Sequence, residues 1–402
     1  MATVSPGTAR LPALTGPGAI LGLIRHGEAK TRADLVRQTG LARSTVAQRV
    51  DALLAAGLVS EVTGAASTGG RPPTVLELNR NAGVVLAADL GATHSRLAVS
   101  DLTGEPLAEV AADMDIAAGP EVVLGWVHEQ FLALLSESKR EAASVRGIGV
   151  GLPGPVSFST GQAVNPPIMP GWDGFSVPDW FGERYGVPVL VDNDVNIMAL
   201  GEQRTHWRST ENLLFVKVGT GIGCGIVAGD EIHRGAQGAA GDIGHIRVSG
   251  HDDTICRCGN TGCLEAVAGG RALARRLTEA GAEASSSRDV VELVRAGDTR
   301  AVRMVREAGR SLGEVLAACV NFFNPAVIVI GGDLGHVHEQ LLAGIREVTF
   351  QRSLPLATQH LSTVPARLGD RAGIMGAAIM AIEDVLAPSA IDRELAGGLA
   401  AA

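Results

Sequence analysis

Apolar residues over the first eighty positions recur at helical spacing and are broken by glycines. From Gly18, residues Ile20, Leu23 and Ile24 make one apolar face that ends near Gly27. Thr31-Arg32-Ala33-Asp34 is a helix start, the hydroxyl capping free backbone N–H groups and the acid favouring the first turn. Gly40 breaks this second helix. A third is expected with Ser44 as its cap, Val46, Val50, Leu53 and Leu54 on one face, and a stop at Gly57. Leu58 to Val62 and Thr74 to Leu78 then read as short strands around a stretch rich in Gly, Ser, Thr and Pro, which predicts a hairpin. Two helices joined by a glycine turn and followed by a hairpin predict a winged helix-turn-helix over residues 16–82. Residues 1–15 carry Pro, Gly, Ala and Thr without periodicity and are expected to be disordered.

From Val84 the pattern changes to apolar strands separated by glycine-rich turns. Strands are expected at Val84 to Leu90, Leu97 to Ser100, Val145 to Gly151, Val187 to Val191, Leu213 to Val218 and Ala326 to Ile330. Helical stretches such as Glu121 to Leu135 and Val195 to Glu202 lie between some of them, so an α/β fold with mixed sheets is expected. Gly331-Gly332-Asp333 repeats, late in the chain, the strand-then-glycine pattern seen at its start. The helix Ala372 to Val385, rich in Ala, Gly and Met, should pack closely, and the tail beyond Pro388 should fray.

Length and charge refine this picture. At 402 residues the chain suggests two or three domains. The net charge of -9 hides an asymmetry, since residues 1–80 hold nine Lys and Arg against five Asp and Glu. A basic head on an acidic body fits a DNA-binding module joined to a small-molecule domain. Three of the five cysteines are clustered, which argues for a reducing compartment over a disulfide framework. The start MATVSPGTAR lacks a charged region followed by a sustained apolar stretch, and no apolar run approaches a membrane span. A cytoplasmic protein with no membrane contact is the expectation.

Candidate chemistry concentrates in four places. Cys256, Cys258 and Cys263 fall within eight residues, with His245 close upstream, the makeup of a tetrahedral zinc site. Three thiolates and one imidazole close the shell, so the zinc is structural, and Asp242 and Glu265 would be fixed beside it as a clamp for a polar ligand. The turn Asp89-Leu90-Gly91-Ala92-Thr93 can present N–H groups to phosphate, with Asp89 near a magnesium ion. Gly219-Thr220-Gly221-Ile222-Gly223 permits close approach of backbone to a phosphate or sugar but does not open a helix, which disfavours a dinucleotide-binding reading. Asp192-Asn193-Asp194-Val195-Asn196 ends an apolar strand with groups able to read the hydroxyls of a polyol; the same residues also suit a helix cap. In the head, Arg43, Ser44, Thr45, Gln48 and Arg49 form the polar face offered to DNA, and Arg71 in the wing suits a narrow minor groove.

In order, D-L-G-A-T, G-L-P-G-P, D-N-D-V-N, G-T-G-I-G-C-G, G-D-I-G-H and C-R-C-G-N-T-G-C-L-E behind a winged helix-turn-helix resemble the ROK family of repressors and sugar kinases. The resemblance implies an actin-like, hexokinase-type pair of lobes over residues 83–390. One lobe would span about 83–198 plus helix 372–385, the other about 199–370, with a tail at 391–402. It implies Asp194 as the catalytic base if kinase activity is retained. Asn193, Asp194, Asp242, His245 and Glu265 become sugar ligands, and His245, Cys256, Cys258 and Cys263 the zinc ligands. The phosphate and nucleotide set would be Asp89, Gly91, Thr93, Gly219, Thr220, Gly221 and Gly223. Ala92 stands where family kinases usually carry the second glycine of D-I-G-G-T, placing a methyl where backbone meets phosphate, which argues against ATP and its magnesium. Asp242 stands where the family prefers glutamate, shorter by one methylene, so the preferred sugar differs or a water fills the gap. The function implied is a sugar-responsive transcriptional repressor, dimeric or tetrameric on a palindromic operator, with an ATP-dependent hexose or N-acetylhexosamine kinase as the alternative.

Overall fold

The structure is a computed structural model that describes residues 16–63 and 74–400. The expected disorder of residues 1–15 and the wing residue Arg71 lie outside the described residues. The chain opens with α1 (Pro17–Arg25), α2 (Arg32–Thr39) and α3 (Arg43–Ala55), followed by the antiparallel pair β1 (Val59–Thr63) and β2 (Thr74–Leu78). The start of α2 forms as its residues dictate: Thr31 Oγ1 accepts from the Asp34 N–H while the Asp34 carboxylate accepts from the Thr31 N–H at 2.9 Å. Gly40 ends α2 in the left-handed conformation, φ 69°. Ser44 does not cap α3. The extended residue before the helix is Ala42, with no side-chain cap, and Ser44 already lies within the first turn.

The body then repeats one topology twice. β3 (Val84–Leu90), β4 (His94–Asp101) and β5 (Pro106–Asp113) form an antiparallel meander, and after α4 (Pro120–Glu137) strand β6 (Val145–Leu152) joins β3 in parallel. A short ribbon of β7 (Val156–Ser157) and β8 (Gln162–Ala163), then α5 (Val177–Tyr185), lead to β9 (Val189–Asn193) and α6 (Asp194–His206). The sheet order is β5-β4-β3-β6-β9. The second half gives β10 (Asn212–Val218), β11 (Ile222–Ala228) and β12 (Glu231–Ile232), again antiparallel. Four helices follow, α7 (Leu264–Ala268), α8 (Gly270–Glu279), α9 (Ser287–Arg295) and α10 (Thr299–Phe323). β13 (Val327–Gly331), α11 (His338–Arg352), α12 (Pro355–Thr358) and β14 (Ser362–Pro365) complete a sheet ordered β12-β11-β10-β13-β14. In both sheets the first strand of a meander pairs in parallel with a later strand. Polar turns of the two halves consequently meet at one cleft.

The last two helices are α13 (Ala372–Val385) and α14 (Pro388–Ala400). α13 lies almost backbone to backbone on α6, because glycines stand at the crossing: a Cβ on Gly376 would sit 1.7 Å from the Ile197 carbonyl oxygen, and one on Gly201 2.4 Å from that of Ala372. The expectation of a frayed tail fails. α14 forms because Ile391 is fully buried, Asp392 Oδ1 accepts the Gly18 N–H at 2.8 Å at the start of α1, and Arg146 pairs with Glu394. One apolar core runs through α1, α2 and α3 into β3 and α13, uniting Ile20, Leu35, Val50 and Leu53 with Val85, Ala87, Ile374 and Ala381. The second half has its own core, from Leu214 and Ile328 through Leu312 and Leu341. No single helix among the described residues is long and apolar enough to cross a membrane.

Candidate functional site

The cleft is built from the ends of strands. Asp89 lies at the end of β3, Asp194 begins α6 directly after β9, Asp333 follows β13, and Lys217 sits within β10. Lys217 Nζ donates to Asp194 Oδ2 at 2.5 Å, with the lysine side chain 22% exposed and the aspartate 6%. Burial opposes the lysine charge, but Asp194, Asp89 and Asp333 outweigh it and hold its pKa above the ordinary lysine value. Burial also drives Asp89 up to about 7, helped by the Asp194 charge and opposed by Lys217 and Arg96. Asp89 Oδ1 is buried with no protein partner, and its other oxygen faces α13, where a Cβ on Gly373 would lie 1.9 Å away.

Two of the amides expected to meet phosphate are already used. Gly91 N–H closes the β3–β4 turn on the His94 carbonyl at 2.9 Å, and Gly219 N–H bonds the Gly221 carbonyl at 3.0 Å. Thr93 is exposed, while Thr220, Gly221 and Gly223 are half-buried along the β10–β11 turn. A side chain at Gly221 or Gly223 would displace a neighbour: a Cβ would lie 2.2 Å from Glu265 Oε2 and 2.9 Å from Val195 Cγ2 respectively. Two turn amides are thus engaged within the protein, and the Asp194 carboxylate carries the Lys217 ammonium.

The Asp192 to Asn196 segment divides its labour. Asn193 caps α6 through Oδ1 on the Val195 N–H at 2.9 Å and donates to the Gly154 carbonyl at 2.9 Å, leaving one N–H and one lone pair for a ligand. Asp192 is buried and points elsewhere, accepting from Asn196 Nδ2 and from Arg234, each at 2.8 Å. The Arg234 guanidinium also stacks on Phe158, 3.7 Å from the ring centre. Arg234 follows β12 and Asp192 ends β9, so this pair ties the two halves together across the cleft.

His245, Cys256, Cys258 and Cys263 converge, with ligand atoms all within 4.8 Å of one another. Cys258 Sγ to Cys263 Sγ and Cys256 Sγ to His245 Nδ1 are both 3.7 Å, close to the edge of about 3.8 Å that a tetrahedron with bonds of about 2.3 Å requires. The donor set therefore fits a metal ion. Cys258 is drawn down to about 7, first by the Asn260 N–H, toward the thiolate form that binds metal. The loop fits tightly on β11: Gly241 has φ 95°, and a Cβ there would lie 1.8 Å from the Cys224 carbonyl oxygen. His245 Nε2 faces away from the sulfurs and lies 3.9 Å from Asp242 Oδ1. Asp242 is exposed, and Glu265 Oε2 accepts the Ile222 N–H at 3.1 Å. The Cys3His loop thus places His245 and Glu265 beside the β10–β11 turn that follows Lys217.

Four residues of this arrangement escape motif reading: Lys217, Asp333, Arg234 and Asp192 in its pairing role. Lys217 left a signal, as the lone charge in the apolar run Leu213-Leu214-Phe215-Val216-Lys217-Val218. On the head, Arg43, Ser44 and Gln48 are exposed and Thr45 and Arg49 half-buried on α3. Neither arginine forms an ion pair among the described residues.

Two copies of one five-stranded sheet meeting at a polar cleft, with a Cys3His knuckle on one wall, define a two-lobed ligand-binding protein. The ROK family model matches residues 85–384, and the chain belongs to the ROK family. It is 34% identical over 375 residues to a putative xylose repressor of Caldicellulosiruptor sp. (strain Rt8B.4), covering 89% of this chain and 92% of that protein. It is 33% identical over 312 residues to a glucokinase of Halalkalibacterium halodurans, covering 72% and 92%. A solved ROK family transcriptional regulator, described as a homologue of the E. coli MLC protein, superposes with TM-score 0.79 at 28% identity, covering 94% of this chain and 98% of that one.

Proposed function

We propose that this protein is a sugar-responsive, DNA-binding transcriptional repressor of the cytoplasm, with a monosaccharide or sugar phosphate as its signal. The observation that carries the reading is the single core shared by the three-helix head and the first lobe, which gives a cleft ligand a mechanical route to the head. The glucokinase relative lacks coverage of part of this chain, whereas the repressor relatives extend along 89% of it. In this reading α2 and α3 are the helix-turn-helix and β1–β2 the wing. Arg43, Ser44, Thr45, Gln48 and Arg49 of α3 meet DNA, joined by Arg71. Asn193, Asp194, Asp242, His245 and Glu265 hold the sugar hydroxyls. A structural zinc on His245 Nδ1, Cys256, Cys258 and Cys263 leaves His245 Nε2 for the ligand. The zinc supplies rigidity and no reaction step.

A homodimer or homotetramer would place two such heads on a palindromic operator. Sugar alters DNA affinity only by binding one arrangement of the lobes better than the other, and a coupling of about 1–3 kcal/mol, some 5- to 150-fold, is the expected range. Fluorescence anisotropy of the zinc-loaded protein on its own promoter DNA, with a panel of pentoses, hexoses and their phosphates, tests this. At least one sugar should move the affinity by that factor. Equal DNA affinity across the whole panel would remove the effector role.

A further inference from the structure

We propose that Arg204 couples the second lobe to the head: one guanidinium grips a turn of lobe two and the head-bearing end of α13 together, so that rotation of lobe two is felt at α1. The inference deepens the repressor reading and rests on it only for the DNA readout. α6 runs from the cleft, where Asn193 caps it and Asp194 begins it, to Arg204 near its far end, about 15 Å away. There Arg204 Nε donates to Glu383 Oε1 of α13 at 2.7 Å, and Nη1 donates to the Asp230 carbonyl at 2.9 Å and to Asp230 Oδ1 at 3.0 Å. Gln203, fully buried, donates to the same Asp230 carboxylate oxygen and accepts from Arg204 Nη1, which closes a ring of three side chains.

The two carboxylates belong to different bodies. Gly229 and Asp230, with φ 61° and 69°, make the turn between β11 and β12, and the Asp230 N–H on the Glu211 carbonyl at 3.1 Å ties that turn to the start of β10. β11 itself leads back to the ligand clamp. At its start the Ile222 N–H donates to Glu265 Oε2 at 3.1 Å, and the Cys224 N–H donates to the Gly241 carbonyl at 2.9 Å. Glu383 stands on α13 between Ile382 and Val385, which are buried in one core with Ile20, Leu21 and Ile24 of α1. A guanidinium can hold two carboxylates in different directions, which an ammonium does less well. Asp230 and Glu383 are 54% and 37% exposed, so loss of the arginine leaves both hydrated and costs little stability. What it removes is the grip.

Hydrogen exchange read by mass spectrometry on the zinc-loaded full chain tests the link without sugar or DNA. Asp230→Gly suits the left-handed turn and removes the carboxylate from lobe two. It should raise amide exchange in α1 and in the last turns of α13 by about threefold or more, and should change neither in an Arg204→Met background. Fluorescence anisotropy on promoter DNA, with the pentose and hexose panel, then reads the coupling. Arg204→Met should keep sugar affinity and sugar-free DNA affinity within about threefold of wild type. The sugar-dependent shift in DNA affinity, about 5- to 150-fold in wild type, should fall below about twofold. Where circular dichroism shows that Arg204→Met fails to fold, Arg204→Gln carries the same comparisons. A folded Arg204 variant that keeps the full sugar-dependent shift would overturn the proposal and leave the repressor reading standing. A wild type whose DNA affinity no sugar moves would remove the repressor reading, and the exchange experiment would still decide the coupling: exchange in α1 that ignores Asp230→Gly, or that rises equally without Arg204, would overturn it.

Discussion

At the residue scale, Asp89 shows how the cleft is tuned. The carboxyl is buried at the end of β3, and its folded-state pKa of about 7 stands well above the ordinary value of 3.8. The native state therefore holds this proton more tightly than the unfolded chain does. Stability from this group is fully present below about pH 4 and is lost as pH rises toward 7, where the ionised form is buried beside Asp194. Three units correspond to about 4 kcal/mol, the net of burial and Asp194 against Lys217 and Arg96. Asp89→Asn removes the titration. Urea unfolding of the two proteins should give similar stabilities near pH 4.5 and a variant advantage that widens to pH 7 and then levels off. Groups common to both proteins cancel in the difference; an advantage constant across this range would contradict the assignment.

At the element scale, the halves meet through a core in which Val195 and Ala199 of α6 pack with Leu213, Phe215 and Val227, and through polar pairs that include Arg234 with Asp192. Asp192 is 3% exposed, so truncation of its partner strands a buried carboxylate. Arg234→Ala should cost about 3–5 kcal/mol by chemical denaturation. Arg234→Lys should recover only part, because a lysine keeps the charge but not the flat stack on Phe158. Full recovery by lysine would mean that charge alone matters. This link was not legible in the sequence, although Asp192 stood inside the most conspicuous acidic motif. Pairing of a β9 residue with one after β12 depends on how two sheets meet, and no local pattern encodes that. Strands β3, β4, β6, β9, β10 and β13, the glycine turns and the Cys3His cluster were legible, because each depends on residues near one another in the chain, whereas β11 and β14 were not expected as strands. Strand β5 was missed although its burial alternates regularly from Pro106 to Asp113, because the inward positions are Pro106, Ala108, Val110 and Ala112 while Leu107 and Ala111 face outward, so hydropathy does not alternate with burial. α14 was missed for a different reason: its Ala- and Gly-rich residues gain order only from α1 and Arg146.

At the scale of the whole molecule, the head and the metal loop are fixed to different halves. The head shares its core with β3 and α13, whereas the loop packs on β11 and α7 and reaches α10 through Ser249 and Glu314 at 2.7 Å. Among the described residues no hydrogen bond or ion pair joins residues 241–265 to residues 16–63. A ligand gripped by His245 and Glu265 thus acts on the head only by pulling the second lobe against the first. Zinc removal should then separate two properties of the protein. Without metal, the loop that carries His245 loses the bonds that order it, and sugar binding should fall by at least about tenfold, in line with the coupling of metal to local folding. Sugar-free DNA affinity should change by no more than about threefold, since a structure that shares no contact with the head transmits little to it. Cys258→Ser should reproduce both effects without chelator. Anisotropy on promoter DNA, with and without the active sugar, reads the two together. A parallel loss of DNA binding in the zinc-free protein and in Cys258→Ser would show that the metal loop supports the head directly, through contacts outside the described residues or across a second copy of the chain.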